Sequence, residues 1–230
     1  MNMTILYWDA ETLPCNDESV IAEIAKTITP PGNIKLADSI AKWHAENGAQ
    51  ALADAVAKTS FDGLFGRIAC IAWAFDDGEI HCTSATETEV DAIKTFYAAI
   101  ETAIEIDYRG GSTSTPLQLC GHNIAGFDLP FLKARSIILG IKPPPGLLRA
   151  MKAKPWDDCI LDTMLMWSPE RDMRVSMDKL CKALGISGKG DFDGSMVANE
   201  WENGSKEKVI SYCCDDVERT RNIYNRLIWA

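Results

Sequence analysis

No run of apolar residues is long enough to cross a membrane, and no basic-then-apolar segment opens the chain, so the expectation is a protein without a membrane partner. Histidine is scarce: His44, His81 and His122 stand far apart and lack the spacing of a zinc motif. The eight cysteines contain no C-x-x-C, and Cys213 and Cys214 are adjacent. That pattern excludes a disulfide scaffold or thiolate zinc module and fits reduced core residues in a cytoplasmic protein. Excess positive charge is also missing. The formal charge of −10 excludes a general polyanion binder.

What is present is an ordinary globular composition, 47% hydrophobic and 24% charged over 230 residues. The expectation is a single domain over 1–230, with an insertion at approximately 14–66. Charge is distributed unevenly. From Gly121 to Trp156 six Lys/Arg (133, 135, 142, 149, 152, 154) face one acid, Asp128. This stretch reads as a phosphate-facing surface or as a solvated helix face with a chance bias.

Thr4 to Trp8 is a short apolar run that predicts a strand. After it, Pro14 to Gly66 is polar. Within it Leu36 to Lys58 predicts a helix, interrupted near Asn47-Gly48 and packed on the main sheet. Arg67 to Phe75 is a buried strand by composition, Asp76-Asp77-Gly78 a hairpin turn, and Glu79 to Ser84 the returning strand. Apolar residues from Val90 to Ile104 recur at helical spacing, predicting a helix over Thr86 to Ile106. Gly110 to Thr115 is a loop and Leu117 to Gly121 a fourth strand. Asp128 to Leu139 is a helix with Pro130 in its first turn. Pro143 to Gly146 breaks the chain, Asp158 to Met166 is a fifth strand, and helices follow over Ser176 to Leu184 and Lys206 to Ile228. This order suggests an antiparallel three-strand start followed by parallel strands.

Four acids stand out. Asp9 and Glu11 alternate on the first strand, so they share a face, with Cβ atoms about 6–7 Å apart. Two carboxylates so placed converge on a divalent cation, or mark a strand end emerging into solvent. Asp128 lies between a strand and the helix it precedes, as a dipole-favoured ligand or a simple N-cap. Asn123 suits a carboxylate or a phosphate, and Phe127 suits core or base stacking. On the last helix the apolar stripe places Asp216 about 75° from its centre, with Tyr212 one turn earlier, while Asp215 points away.

Asp9-x-Glu11, Asn123-x-x-x-Phe127-Asp128 and Tyr212-x-x-x-Asp216 resemble the three motifs of the DEDD superfamily of 3′–5′ exonucleases. The tyrosine resembles that of the DEDDy branch, which includes the proofreading domains of family B DNA polymerases. Phe65-Gly66-Arg67-Ile68, Gly188 to Ser195 and Tyr212-Cys213 look like stand-alone, phage- and bacteria-associated exonucleases of that kind. The resemblance implies an α/β fold, ribonuclease-H-like, with a mixed five-stranded sheet flanked by helices and a helical insertion after the first strand. It implies two-metal phosphodiester hydrolysis with Mg²⁺ or Mn²⁺, the ions about 3.5–4 Å apart. In that pattern Asp9 bridges both ions, Glu11 and Asp216 help hold the water-activating one, and Asp128 supports the second. Tyr212 orients the attacking water. Substrate contacts are expected from Thr12, Leu13 as a wedge, Asn123, Phe127 and Lys189, with a structural or supporting role for Asp162.

The expected substrate is the 3′ end of single-stranded DNA, cleaved to nucleoside 5′-monophosphates. An exoribonuclease of the same mechanism, or a catalytically silent nucleic-acid-binding accessory module, are the alternatives. A binding module has no use for four converging carboxylates. A polymerase palm does not fit this length, so proofreading would need a polymerase or another replication or repair protein in trans. The expected setting is the cytoplasm of a bacterial or phage-infected cell.

Overall fold

A computed structural model describes residues 4–109, 117–168, 170, 173–188 and 190–229, with 105–109 described by backbone alone. The loop expected at 110–115 and the candidate Lys189 lie outside the described residues. The first strand, β1 (Ile5–Leu13), is the centre of a five-stranded sheet. It pairs antiparallel with β2 (Arg67–Phe75), from Leu6↔Phe75 to Glu11↔Cys70, with a bulge between Glu11 and Thr12. On its other side it runs parallel to β4 (Gln118–Gly121), which pairs parallel with β5 (Ile160–Asp162). With β3 (His81–Cys82) beyond β2, the order is β3-β2-β1-β4-β5. This is the expected mixed sheet.

Strand alternation splits the core into two layers. The even positions Leu6, Trp8 and Ala10 join β2 side chains and the helices α3 (Glu89–Arg109) and α4 (Asp128–Ile138). Trp8 and Trp73 both pack on Phe96, with ring centroids 5.3 and 5.5 Å apart. Truncating Phe96 to Ala would cost about 3–5 kcal/mol, because the cavity stays largely open. The odd positions Tyr7 and Leu13 face the other layer, where Val209, Cys213 and Val217 of α9 (Lys206–Leu227) cover the sheet. Asp9 and Glu11 share that odd register, so the strand aims them at α9.

The segment after β1 forms α1 (Glu18–Thr27), capped by Asp17, and α2 (Ala37–Ala57), then a 3-10 turn at Lys58–Phe61. The expected break at Asn47-Gly48 is absent. The helix continues, and Nδ2 of Asn47 donates to the carbonyl of Trp43 one turn back. Neither helix buries a residue, so they do not pack on the sheet as expected. The neck of the segment is fixed: Cys15 N donates to Thr59 Oγ1 at 2.7 Å, and Arg67 Nε to Pro14 O at 3.1 Å. Gly66 closes this neck, because a Cβ there would lie 2.4 Å from the carbonyl oxygen of Thr59.

Two strands are shorter than expected, each for a side-chain reason. The return strand is reduced to His81–Cys82 because Thr83 Oγ1, not backbone, takes the N–H of Ile71 at 3.0 Å. The apolar run at 158–166 leaves the sheet at Asp162, which caps α6 (Thr163–Trp167) by accepting from Met164 N and Leu165 N. Proline at its first turn starts α5 (Pro145–Ala150), which the sequence reading took as a break. The expected helix at 176–184 is α7 (Met177–Leu184). A further short helix, α8 (Val197–Glu202), buries Val197 beside Leu13.

Candidate active site

β4 pairs with β1 only as far as Tyr7, which leaves the edge of β1 open beside Trp8 to Glu11. The carboxylate of Asp128 takes that place and accepts the N–H of Ala10. Phe127 occupies the N-cap position, so Asp128 is the first helical residue and not the cap. Asp9 therefore lies against Asp128 from one side. From the other, Cys213 Sγ donates to Asp9 O at 3.5 Å and to Oδ2 at 3.7 Å.

The turn that delivers Asp128 is built tightly. Asn123 adopts a left-handed φ of 65°. A Cβ on Gly126 would lie 2.5 Å from the Asn123 side-chain oxygen, so any larger residue there would have to push that side chain aside. Asp162, 2% exposed, holds the turn from beneath. Its Oδ1 accepts from Asn123 N at 3.0 Å and its Oδ2 from Ala125 N at 3.1 Å. The same Oδ1 caps α6 through Met164 N and Leu165 N at 3.0 and 3.3 Å. Behind α4, Arg135 grips Glu89 with both prongs at 2.8 and 2.9 Å, and Glu89 also accepts Ile68 N at 2.8 Å. One half-buried carboxylate thus joins β2, α3 and α4.

On α9, Tyr212 and Asp216 are buried and Asp215 is exposed, as the stripe predicted. Arg219 Nη1 donates to Asp216 Oδ1 at 2.5 Å, and its Nη2 to the carbonyl of Gly188 at 3.3 Å. Gly188 is thereby tied to α9, and Phe192 rests on the ring of Tyr212 with centroids 4.9 Å apart. Arg219 and Phe192 were not singled out from the sequence as site residues. The signal for Arg219 was its spacing, three residues after Asp216 and one helical turn away.

The electrostatics join these elements. Burial, and then the neighbouring Asp9, push the Asp128 carboxyl well above the usual carboxylate range. Burial, and then Asp216, Glu11 and Asp9, push the Tyr212 phenol far above its ordinary value. Crowded carboxylates with two of them buried repel, and a divalent cation among them would remove that repulsion. The donor set fits such an ion, since hard cations take carboxylate oxygens. Among the described residues, ligand atoms of Asp9, Glu11 and Cys213 lie within 4.8 Å of one another. Burial also raises the Cys213 thiol, so it stays protonated and acts as a donor to Asp9 rather than as a thiolate ligand.

The expected substrate contacts divide. Asn123 and Phe127 sit on the turn, half-buried, and the Phe127 ring lies 6.4 Å from Phe61 and 5.7 Å from Phe131. Phe61, 74% exposed, was not anticipated. Thr12 and Leu13 are held within the fold. Thr12 Oγ1 donates to Ser60 O at 2.7 Å, tying the strand end to the neck of the insertion. Leu13 is 1% exposed within the α9 layer, so it presents no wedge to a base.

A family model described as a predicted 3′–5′ exonuclease related to the exonuclease domain of PolB matches residues 61–229. Asp9 and Glu11 lie before that match. The fold is similar to the family B DNA polymerase of the hyperthermophilic archaeon Pyrobaculum calidifontis, at 16% identity and a TM-score of 0.59. That alignment covers 99% of this chain but 25% of the polymerase, so the chain spans about a quarter of its length. No curated protein matches. The match over well more than half of its residues places the chain in the family of predicted 3′–5′ exonucleases related to the exonuclease domain of PolB.

Proposed function

We propose that the protein is a divalent-metal-dependent 3′–5′ exonuclease that removes nucleoside 5′-monophosphates from the 3′ end of single-stranded DNA. The observation carrying this reading is the meeting of Asp9, Glu11, Asp128, Tyr212 and Asp216, from three distant segments, at one open strand end. The four acids would hold two ions, Mg²⁺ or Mn²⁺. Bound there, the ions would supply an activated water and neutralise charge on the leaving oxygen.

The residues of the chain have separable tasks in this reading. Tyr212 keeps its proton, because burial and the nearby carboxylates oppose a phenolate. It therefore acts as a donor that orients the attacking water and does not serve as the base. Arg219 fixes the rotamer of Asp216 through one oxygen. Asp162 and the Glu89–Arg135 pair hold the turn and helix that place Asp128. Asn123 and Phe127, on that turn, are the candidate contacts for the last nucleotides.

The test is product identity. Purified protein is incubated with 5′-labelled DNA and RNA oligomers in Mg²⁺, Mn²⁺ or EDTA. Progressive shortening from the 3′ end with release of 5′-monophosphates, stopped by EDTA, is expected. Internal cuts, 3′-monophosphate products or EDTA-resistant cleavage would refute the mechanism. Faster loss of the RNA oligomer would redirect the reading to an exoribonuclease.

A further inference from the structure

The described surface next to the acids contains a feature that catalysis does not use. A cleft of about 700 Å³ opens against the turn that delivers Asp128. Its wall includes Asn123, Gly126, Trp156, Met166 and Arg174. Trp156 is 77% exposed, which is unusual for the largest apolar side chain and has no packing explanation. Lys154 Nζ lies 5.5 Å from the centre of the Trp156 ring. Trp156 also borders a second hollow, of about 520 Å³, with Arg149 and Lys152 on its wall.

Charge favours a polyanion along this line. Four of the six basic residues between Gly121 and Trp156 remain solvent-exposed around α5 and the chain after it: Lys142, Arg149, Lys152 and Lys154. Arg135 is spent on Glu89, and Lys133 donates to the carbonyl of Met151. Acids are present but engaged. Asp162 in the first cleft accepts backbone amides. In the second hollow Asp157 accepts Lys154 N, and Asp158 pairs with Arg149 at 3.2 Å.

We infer that this cleft is the binding track for the unpaired strand upstream of the 3′ end, with a nucleobase stacked on Trp156 and the backbone phosphates met by Arg174 and the lysines of the 149–154 segment. The inference rests on the exonuclease reading for the position of the 3′ end, and on the exposed ring, the cleft and the local charge for the track. Aromatic platforms flanked by cations are how single strands are held without sequence preference. Such a track makes the enzyme sensitive to substrate length, since a strand too short to reach Trp156 loses the stacking contact.

The experiment compares dinucleotide and oligo(dT) substrates on wild type, Trp156→Ala, Arg174→Ala and the control Trp229→Ala, an exposed tryptophan on another face. Fluorescence anisotropy with labelled oligo(dT), on the Asp9→Ala background, measures binding without turnover. Wild type and the control should favour the long substrate in kcat/KM. Trp156→Ala should lose roughly tenfold of that advantage and of oligo(dT) affinity. Arg174→Ala should lower the slope of log affinity against log salt by about 0.7. Trp156→Ala with full length preference and affinity would overturn the track while leaving the exonuclease reading standing. Trp156-dependent binding without hydrolysis by wild type would do the reverse. No binding and no hydrolysis would overturn both.

Discussion

Replacing Asp162 by Asn is the sharpest test of how the fold positions the site. The carboxylate is buried, and its two oxygens receive four backbone N–H groups, from Asn123, Ala125, Met164 and Leu165. The amide is isosteric but has one acceptor. Whichever way it turns, an NH₂ group meets at least one backbone N–H, donor against donor. That forfeits a charge-assisted bond and strands a buried donor, for a combined cost of about 2–4 kcal/mol. In a chain of this size each kcal/mol moves Tm by about 2–4 °C, so Asp162→Asn should melt roughly 5–15 °C below wild type. Asp158→Asn supplies the control. It removes a surface pair whose side chains are 58% and 82% exposed, worth about 0–1 kcal/mol after screening. Melting followed by circular dichroism compares the three proteins. An Asp162→Asn protein melting within about 1 °C of wild type would refute the bracing role. Loss of nuclease activity at temperatures where the variant is still folded would show that the turn, and not only stability, depends on the carboxylate.

Other perturbations separate the parts of the site. Arg219→Ala leaves the buried Asp216 without its guanidinium and should destabilise by about 3–5 kcal/mol; a Tm shift under 2 °C would contradict this. Tyr212→Phe should lower kcat by about 10–100-fold with little change in KM, as expected for lost water orientation. Because the phenol is held far above its ordinary value, kcat of wild type should show no alkaline fall near pH 10 that Tyr212→Phe abolishes. Such a fall would mean that the phenol titrates near its ordinary value, against its burial among the carboxylates. The Asp128 carboxyl is raised when metal-free, so its contribution to stability is present below its unfolded pKa and lost as pH rises through the folded one. Asp128→Asn should therefore raise Tm in EDTA near neutral pH while abolishing metal-dependent hydrolysis. A lower Tm in EDTA would count against the crowding.

The parts legible in sequence were those written in periodicity. After Arg67, β2 carries a continuous apolar run of eight residues, and α3, α4 and α9 carry stripes, so their spans could be read within a few residues. The stripe on α9 also separated Asp216 from Asp215. Periodicity failed where one side chain redirected the backbone. Asp162 turned an apolar strand pattern into the cap of α6, and Thr83 replaced a ladder bond of β3 with its hydroxyl. Neither contact has a period. The helices α1 and α2 bury nothing, so the sequence offered only a faint stripe for α2 and none used for α1. In the site, the four acids and Tyr212 were legible as motifs. Among their supports Asp162 was given a structural role from the sequence, but Phe192 and Arg219 were not, because they matter only through partners that folding brings near. Leu13 was taken as a wedge from the family resemblance, and strand alternation turns it into the α9 layer.

The most direct measurement is single-turnover hydrolysis of a 5′-labelled single-stranded oligomer in Mg²⁺ by wild type and by Asp9→Asn, Glu11→Gln, Asp128→Asn and Asp216→Asn, each first shown to be folded. The account predicts metal-dependent shortening from the 3′ end by wild type. It predicts a fall of at least about 10²-fold for every variant, the scale on which a lost electrostatic contact at a reacting phosphate acts. Near-wild-type cleavage by any one of the four would contradict the claim that these carboxylates form a single metal-binding catalytic centre.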